Sequence, residues 1–357
     1  MNRSPPAASA RIALCTGTEK MKAYAALRHA LLLATTLALT LPGIGHAAAR
    51  IGHVEASGQP LDQVLKLSAE QIAERTDGRV EFSVFPSSQL GNARAMTEAV
   101  QLGMQDAVVV PAAFIGGFNP LVSILDIPYL IPTSDDQANA LRKSEFGRAL
   151  LDSFKEKGFE AVALWPGGFK HFTSNKKLEG IGDFKGQKFR IMDSRVLRAQ
   201  FEAVGAQAMP IPFGDVYTSL QTGVVDGQEN PLDSIARMKF HEVQKYLLLS
   251  AHGVVENVVL FSPTFWAGLS DADKKTVRQV FVDNALELAK VKSENQKQAL
   301  EEIKAAGLTI NELDDAEQQA LREKMYPAAR DAFLDQAGDK GQTLIDLYES
   351  VYSDITE

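Results

Sequence analysis

Two short segments in the middle of the chain, KGQKFRI (185–191) and VVDGQENPL (224–232), carry residue types suited to holding an anion. Arg190 alternates with the apolar Phe189 and Ile191, so the spacing predicts a strand with the guanidinium on the face opposite those neighbours. Asn230 precedes Pro231, which biases it toward an extended or turn conformation. An arginine on a rigid strand, with an amide on a nearby turn, can hold a carboxylate. The planar guanidinium offers a fork of donors that matches the two carboxylate oxygens. The chemistry these residues point to is capture of an organic acid.

Signals for catalysis are weak by comparison. Beyond residue 49 the histidines are His53, His171, His241 and His252, and none forms HExxH or another metal-spaced pair. There is no GxSxG elbow and no GxxxxGK[ST] loop. Gly180, Gly182 and Gly186 approach GxGxxG, but the final spacing differs and no strand precedes them. Glu229 and His252 could serve as an acid–base pair, yet nothing suggests a nucleophile or electrophile beside them. No metal, no cofactor and no enzymatic activity are expected. The net charge of −8 argues against nucleic acid or an anionic membrane surface as partner. Attraction for an acid must therefore be local to its cleft.

The elements that position these residues begin after a leader. Lys22 and Arg28 form a basic segment, Ala30–Leu41 is a short apolar run, and Ala47–Ala49 fits a small-residue cleavage site. That run is shorter than the roughly 20 residues a membrane span requires. Residues 1–49 are thus expected to be leader and signal peptide, with Met21 as the true start, and the protein to be periplasmic. The single cysteine, Cys15, falls in that segment, so the mature chain has no disulfide and no thiolate ligand.

Strand and helix patterns alternate over 50–54, 61–76, 80–85, 96–102, 107–110, 134–157 and 159–165. They continue over 187–191, 194–204, 213–221, 224–226 and 246–261. This rhythm predicts α/β lobes with mainly parallel sheets. From Ser270 to Ala306 no proline or glycine interrupts. Ser270 with Asp273 fits a capping box and Gly307 a stop, predicting one helix of about 50 Å. It carries no sustained heptad, so it is expected to brace two lobes rather than form a coiled coil. With no linker in sight, the lobes are expected to exchange strands near Gly167–Gly168 and near Glu256. The division expected is residues 50–167 with about 256–290 in one lobe, and 168–255 with about 291–357 in the other.

Several long motifs also match a known family in order. KGQKFRIMDSRVLRAQFEAVGA and PIPFGDVYTSLQTGVVDGQENPL closely resemble the solute receptors of tripartite ATP-independent periplasmic (TRAP) transporters, of the DctP type. FPSSQLGNARAMTEAVQLG, NPLVSILDIPYLI and HGVVENVVLFSPTFW extend the resemblance over essentially the whole mature chain. It implies a two-lobed α/β periplasmic binding protein, a ligand cleft between the lobes and a long helix spanning both. It also implies delivery of an organic acid to membrane permease subunits. By resemblance, Arg190 anchors the carboxylate, Asn230 helps hold it and Phe213 packs on the ligand body. Lys170 stands where sialic-acid-type members have a second arginine, and similar dicarboxylate receptors carry lysine there. His53 lies in the loop after the first strand, which faces the cleft in such receptors. Ser194 is read either as a carboxylate donor or as a helix cap, and Trp165 and Tyr217 as packing. Ala93 and Pro111 replace acidic residues of the sialic-acid receptors, which disfavours that sugar. Lys170 then points to a second negative group and a C4-dicarboxylate such as succinate, malate or fumarate. A monocarboxylate (2-oxo, hydroxy or aromatic) is the alternative, as is a ligand-loaded partner of a membrane sensor.

Overall fold

A computed structural model describes residues 48–356; the leader, with Cys15, Met21 and the apolar run, lies outside them. Among the described residues the strands are β1 (Ala49–His53), β2 (Phe82–Phe85), β3 (Ala107–Pro111), β4 (Glu160–Ser174) and β5 (Lys188–Ile191). They continue with β6 (Gln207–Pro210), β7 (Gly227–Pro231), β8 (Tyr246–Leu249), β9 (Val254–Phe261) and β10 (Thr309–Glu312). The order is β2-β1-β3-β9-β4-β7-β5-β6, with β8 on β4 and β10 on β8.

The strand β4 links the two halves of this arrangement. Its first part, Glu160 to Phe169, pairs with β9, and its last part, Lys170 to Ser174, pairs with β7 and β8. Between them the register slips from Pro166↔Glu256 to Gly168↔Val255. Proline cannot donate to the ladder and Gly168 sits at φ +102°, so this is where the strand can bend. Pairing departs from the mainly parallel expectation. β1 with β2 and β3, β5 with β6 and β7, and β8 with β10 are parallel. The long strands β4 and β9 are antiparallel to their partners because they run in opposite directions between the two halves.

Helices cover both faces. Pro60–Arg75 packs Leu61, Leu65 and Ile72 against Ile51, Val109 and Trp165 of the first half. The long helix is Asp271–Ala305, with Ser270 as its cap. Ser270 Oγ accepts from the Asp273 N–H at 3.1 Å and donates to Asp273 Oδ2 at 2.7 Å. It touches both halves: Asn284 Nδ2 donates to Ser68 Oγ at 2.8 Å, and Lys292 Nζ reaches Asp233 Oδ2 at 2.9 Å. A second long helix, Asp315–Thr356, follows; it breaks at Gly338 (φ 59°, ψ −148°) and contains Pro327.

Three local expectations are corrected. The helix expected over 134–157 divides into Asp135–Lys143 and Glu145–Asp152, because Ser144 caps the second. The strand expected at 224–226 lies instead at Gly227–Pro231, since Gly223 turns the chain at φ +72°. The run 246–261 splits into β8 and β9 around a turn containing Gly253 and Ala251, the latter at φ 43°.

Candidate functional site

The site lies where parallel strands end. Val54 and Glu55 follow β1, Phe114 follows β3, Met192 and Ser194 follow β5, Phe213 follows β6, and Asn230 closes β7. In open α/β sheets the carboxyl ends of parallel strands leave a crevice for ligands.

Arg190 is 1% exposed. Its Nε donates to the Ile211 carbonyl at 2.9 Å, while Nη2 is buried without a partner. The guanidinium lies 5.9 Å from the Phe114 ring and 6.0 Å from that of Phe213. Burial lowers its pKa to about 10, opposed by the Glu229 charge; the group stays cationic at neutral pH. The β5–β7 register sets Arg190 beside Gln228. Asn230, two residues on, therefore shares that face, and it donates to Gln228 Oε1. Arg190, Asn230 and Phe213 are thus brought together.

Lys170 is engaged elsewhere. It pairs with Pro231 across β4–β7, as Phe172 does with Glu229, so the pleat puts Lys170 and Glu229 on the face opposite Asn230. Lys170 Nζ lies 2.8 Å from Glu229 Oε1, both side chains buried. Glu229 Oε2 meets His252 Nε2 at 2.7 Å and Gln200 Nε2 at 3.3 Å. Burial would raise Glu229, but Lys170 and His252 outweigh it and hold the carboxyl at about 2. Burial depresses His252 to about 4, against the pull of Glu229. A neutral His252 donates from Nε2 to Glu229 and accepts at Nδ1 from Ser250 Oγ, 2.8 Å away. The Glu229–His252 pair thus exists, as part of a buried network with Lys170.

Of the two roles considered for Ser194, the cap is present, and its hydroxyl proton goes to a carboxylate of the protein itself. Ser194 caps Arg195–Ala203, accepting from Leu197 N at 3.3 Å, and its hydroxyl donates to Asp126 Oδ2 at 2.7 Å. Burial pushes Asp126 up to about 7, against Ser194 and Lys170. His53 is turned to Asp62, Nε2 to Oδ1 at 3.3 Å. Burial would raise Asp62, but His53, the Gly58 N–H and Lys66 hold it well below the carboxylate range. His53 ends β1 rather than lying in the loop after it, and from the loop that follows it is Val54 and Glu55 that line the cavity, together with Pro111, Phe114, Phe213 and Asn230. The cavity measures about 20 Å³. Val54, Phe114 and Phe213 also line a neighbouring cleft of about 420 Å³, with Ala93 and Ile211. Trp165 packs in the core, its Nε1 donating to the Phe281 carbonyl. No cluster of His, Cys, Asp and Glu able to hold a metal occurs among the described residues.

The model of the bacterial extracellular solute-binding proteins of family 7, DctP, matches residues 51–336. The chain belongs to the DctP family. A C4-dicarboxylate-binding periplasmic protein DctP of Rhodobacter capsulatus is 35% identical over 314 residues, 85% of this chain and 92% of the relative. Among solved structures, a TRAP periplasmic solute-binding protein from Desulfovibrio salexigens with bound orotic acid is 51% identical, with a TM-score of 0.86. That match covers 87% of this chain and 100% of the other. A TRAP receptor from Sulfurospirillum deleyianum with bound succinate is 33% identical, with a TM-score of 0.77, over 85% and 98%. The fold is accordingly the two-lobed receptor fold, and the DctP family consists of solute-binding receptors for organic acids and related solutes. No helix among the described residues is long and apolar enough to cross a membrane.

In this DctP-family chain the sequence reading passed over Phe114, Glu55 and the Lys292–Asp233 pair. Phe114 follows a buried parallel strand, a place where ligand contacts collect, and that was the available signal. Nothing local marks Lys292, which is one lysine among many on a charged helix.

Proposed function

We propose that this receptor captures an organic monocarboxylate with a flat or compact body and passes it to a TRAP permease in the periplasm. The observation that carries this is the buried Arg190 guanidinium with Nη2 unpartnered, flanked by two aromatic rings. A buried charge without a counter-ion is costly unless paired, so an incoming carboxylate supplies what the protein leaves out. Asn230 shares the face and Phe213 the wall. The orotate complex of the 51% identical relative supports a ring-bearing monoacid.

A C4-dicarboxylate is the second reading, favoured by the names of relatives near one-third identity. Its weakness is Lys170, whose charge is already met by Glu229. A cavity of about 20 Å³ holds about one water, so entry of either acid requires the walls to part. The slip between Pro166 and Gly168, opposite Glu256, is our proposed hinge between lobes divided as 50–167 with 256–290 and 168–255 with 291–357. His53 and Ser194 serve this reading as supports, through Asp62 and Asp126, rather than as direct contacts.

Calorimetric titration of wild type, Arg190→Ala and Lys170→Met with orotate and succinate tests the proposal. Tight, Arg190-dependent binding of orotate with weak succinate binding is expected. Succinate binding that alone collapses in Lys170→Met would replace this reading with the dicarboxylate one.

A further inference from the structure

Glu55 occupies a place that the carboxylate anchor leaves unexplained. It lines the same small cavity as Asn230 and the two rings that flank Arg190. Its backbone is fixed, the carbonyl accepting from the Ser87 N–H at 2.8 Å. Its side chain is directed by Lys292 of the long helix, Nζ to Oε1 at 3.7 Å. Lys292 is itself held by Asp233 at 2.9 Å. The second oxygen, Oε2, is buried and has no hydrogen-bond partner. A buried acceptor left unsatisfied is unusual in a folded protein and needs an account.

We propose that Glu55 determines specificity: its Oε2 accepts a hydrogen bond from an N–H or O–H on the body of the bound acid and repels a second carboxylate. The proposal rests on Arg190 as the carboxylate anchor. With the acid's carboxylate at Arg190, its body extends between Phe114 and Phe213 into the cavity that Glu55 lines. A site built to accept a hydrogen bond rejects an analogue lacking the donor more strongly than an apolar pocket rejects a change of size. Burial raises the Glu55 carboxyl and Lys292 opposes that rise; in its ionised form the carboxylate excludes dianions by repulsion.

The test is a cycle over ligands and variants, read by titration of the intact receptor. The probes are orotate, whose ring carries N–H donors, nicotinate, which is flat and monoanionic but lacks them, and succinate. Wild type should prefer orotate over nicotinate by tenfold or more. Glu55→Ala should shrink that preference at least tenfold, and Glu55→Gln should tighten succinate while leaving melting near wild type. Because each ratio is taken within one variant, a general loss of stability cancels. Equal effects of Glu55→Ala on orotate and nicotinate, or no orotate preference in wild type, would overturn the role of Glu55 while Arg190-dependent binding survived. Binding indifferent to Arg190→Ala would instead remove the anchor and this inference with it.

Discussion

Arg190 is a residue whose cost and use are the same property. Its guanidinium is buried and leaves Nη2 without a partner, so the ligand-free protein carries a desolvation penalty that, on the proposed reading, a carboxylate relieves. Arg190→Ala should weaken acid binding by about 100-fold or more, because the ligand charge then enters a closed site unpaired. Arg190→Lys should also lose affinity, since an ammonium cannot reproduce the fork. Arg190→Met separates the two properties: binding is lost, yet the melting temperature of the ligand-free protein should not fall. A drop comparable to that of a core deletion would mean the arginine is structural. Lys170 should behave in the opposite way. Lys170→Met leaves the Glu229 carboxylate buried without its cation and should cost about 3–5 kcal/mol of stability. Denaturant unfolding without ligand would reveal this.

At the scale of elements, the crossing strands and the long helix carry the architecture. Gly168 adopts φ +102°, and a Cβ there would sit 2.5 Å from Gln296 Nε2 and 3.1 Å from Pro231. Gly168→Ala should therefore destabilise by about 1–3 kcal/mol and disturb the end of β7, which carries Asn230. Acid affinity should fall together with stability, as paired melting and titration would register. Ser270→Ala removes the cap of Asp271–Ala305, for about 1 kcal/mol, and should leave affinity unchanged because that terminus is far along the helix from Lys292. An affinity loss in Ser270→Ala would show that the helix end communicates with the site.

For the whole molecule, pH dependence follows from what is buried. His252 is depressed to about 4 from its ordinary value of 6.5, chiefly by burial. The unfolded chain then binds a proton between those values that the folded chain does not. Its contribution is present above pH 6.5 and is lost as pH falls through about 4. Asp126, raised by burial to about 7, acts in reverse: its contribution is present below about 4 and lost as pH rises through 7. His252→Gln should flatten the acid-side loss between pH 6.5 and 4. Asp126→Asn should gain on wild type as pH rises from 4 to 7. Chemical denaturation across that range measures both slopes, and unchanged slopes would show that neither group titrates as its burial demands.

Patterns confined to a few neighbouring residues were readable directly. The alternation around Arg190 requires a strand, and the Ser270–Asp273 cap with its unbroken run requires a long helix, because both follow from local geometry and local hydrogen bonds. The two motifs that carry Arg190 and Asn230 form adjacent parallel strands, with Arg190 beside Gln228. Other features depended on partners distant in the chain. Lys170 reads as a free cation until β7 brings Glu229 beside it, 59 residues away. His53 reads as a cleft residue until the helix after it supplies Asp62, leaving Glu55 to line the cavity. The antiparallel path of β4 and β9 between two parallel halves was equally hidden, since strand direction is set by which edges meet and not by the alternation within a strand. Side-chain charge is written in the residue, but whether that charge is available to a ligand depends on what the fold places against it.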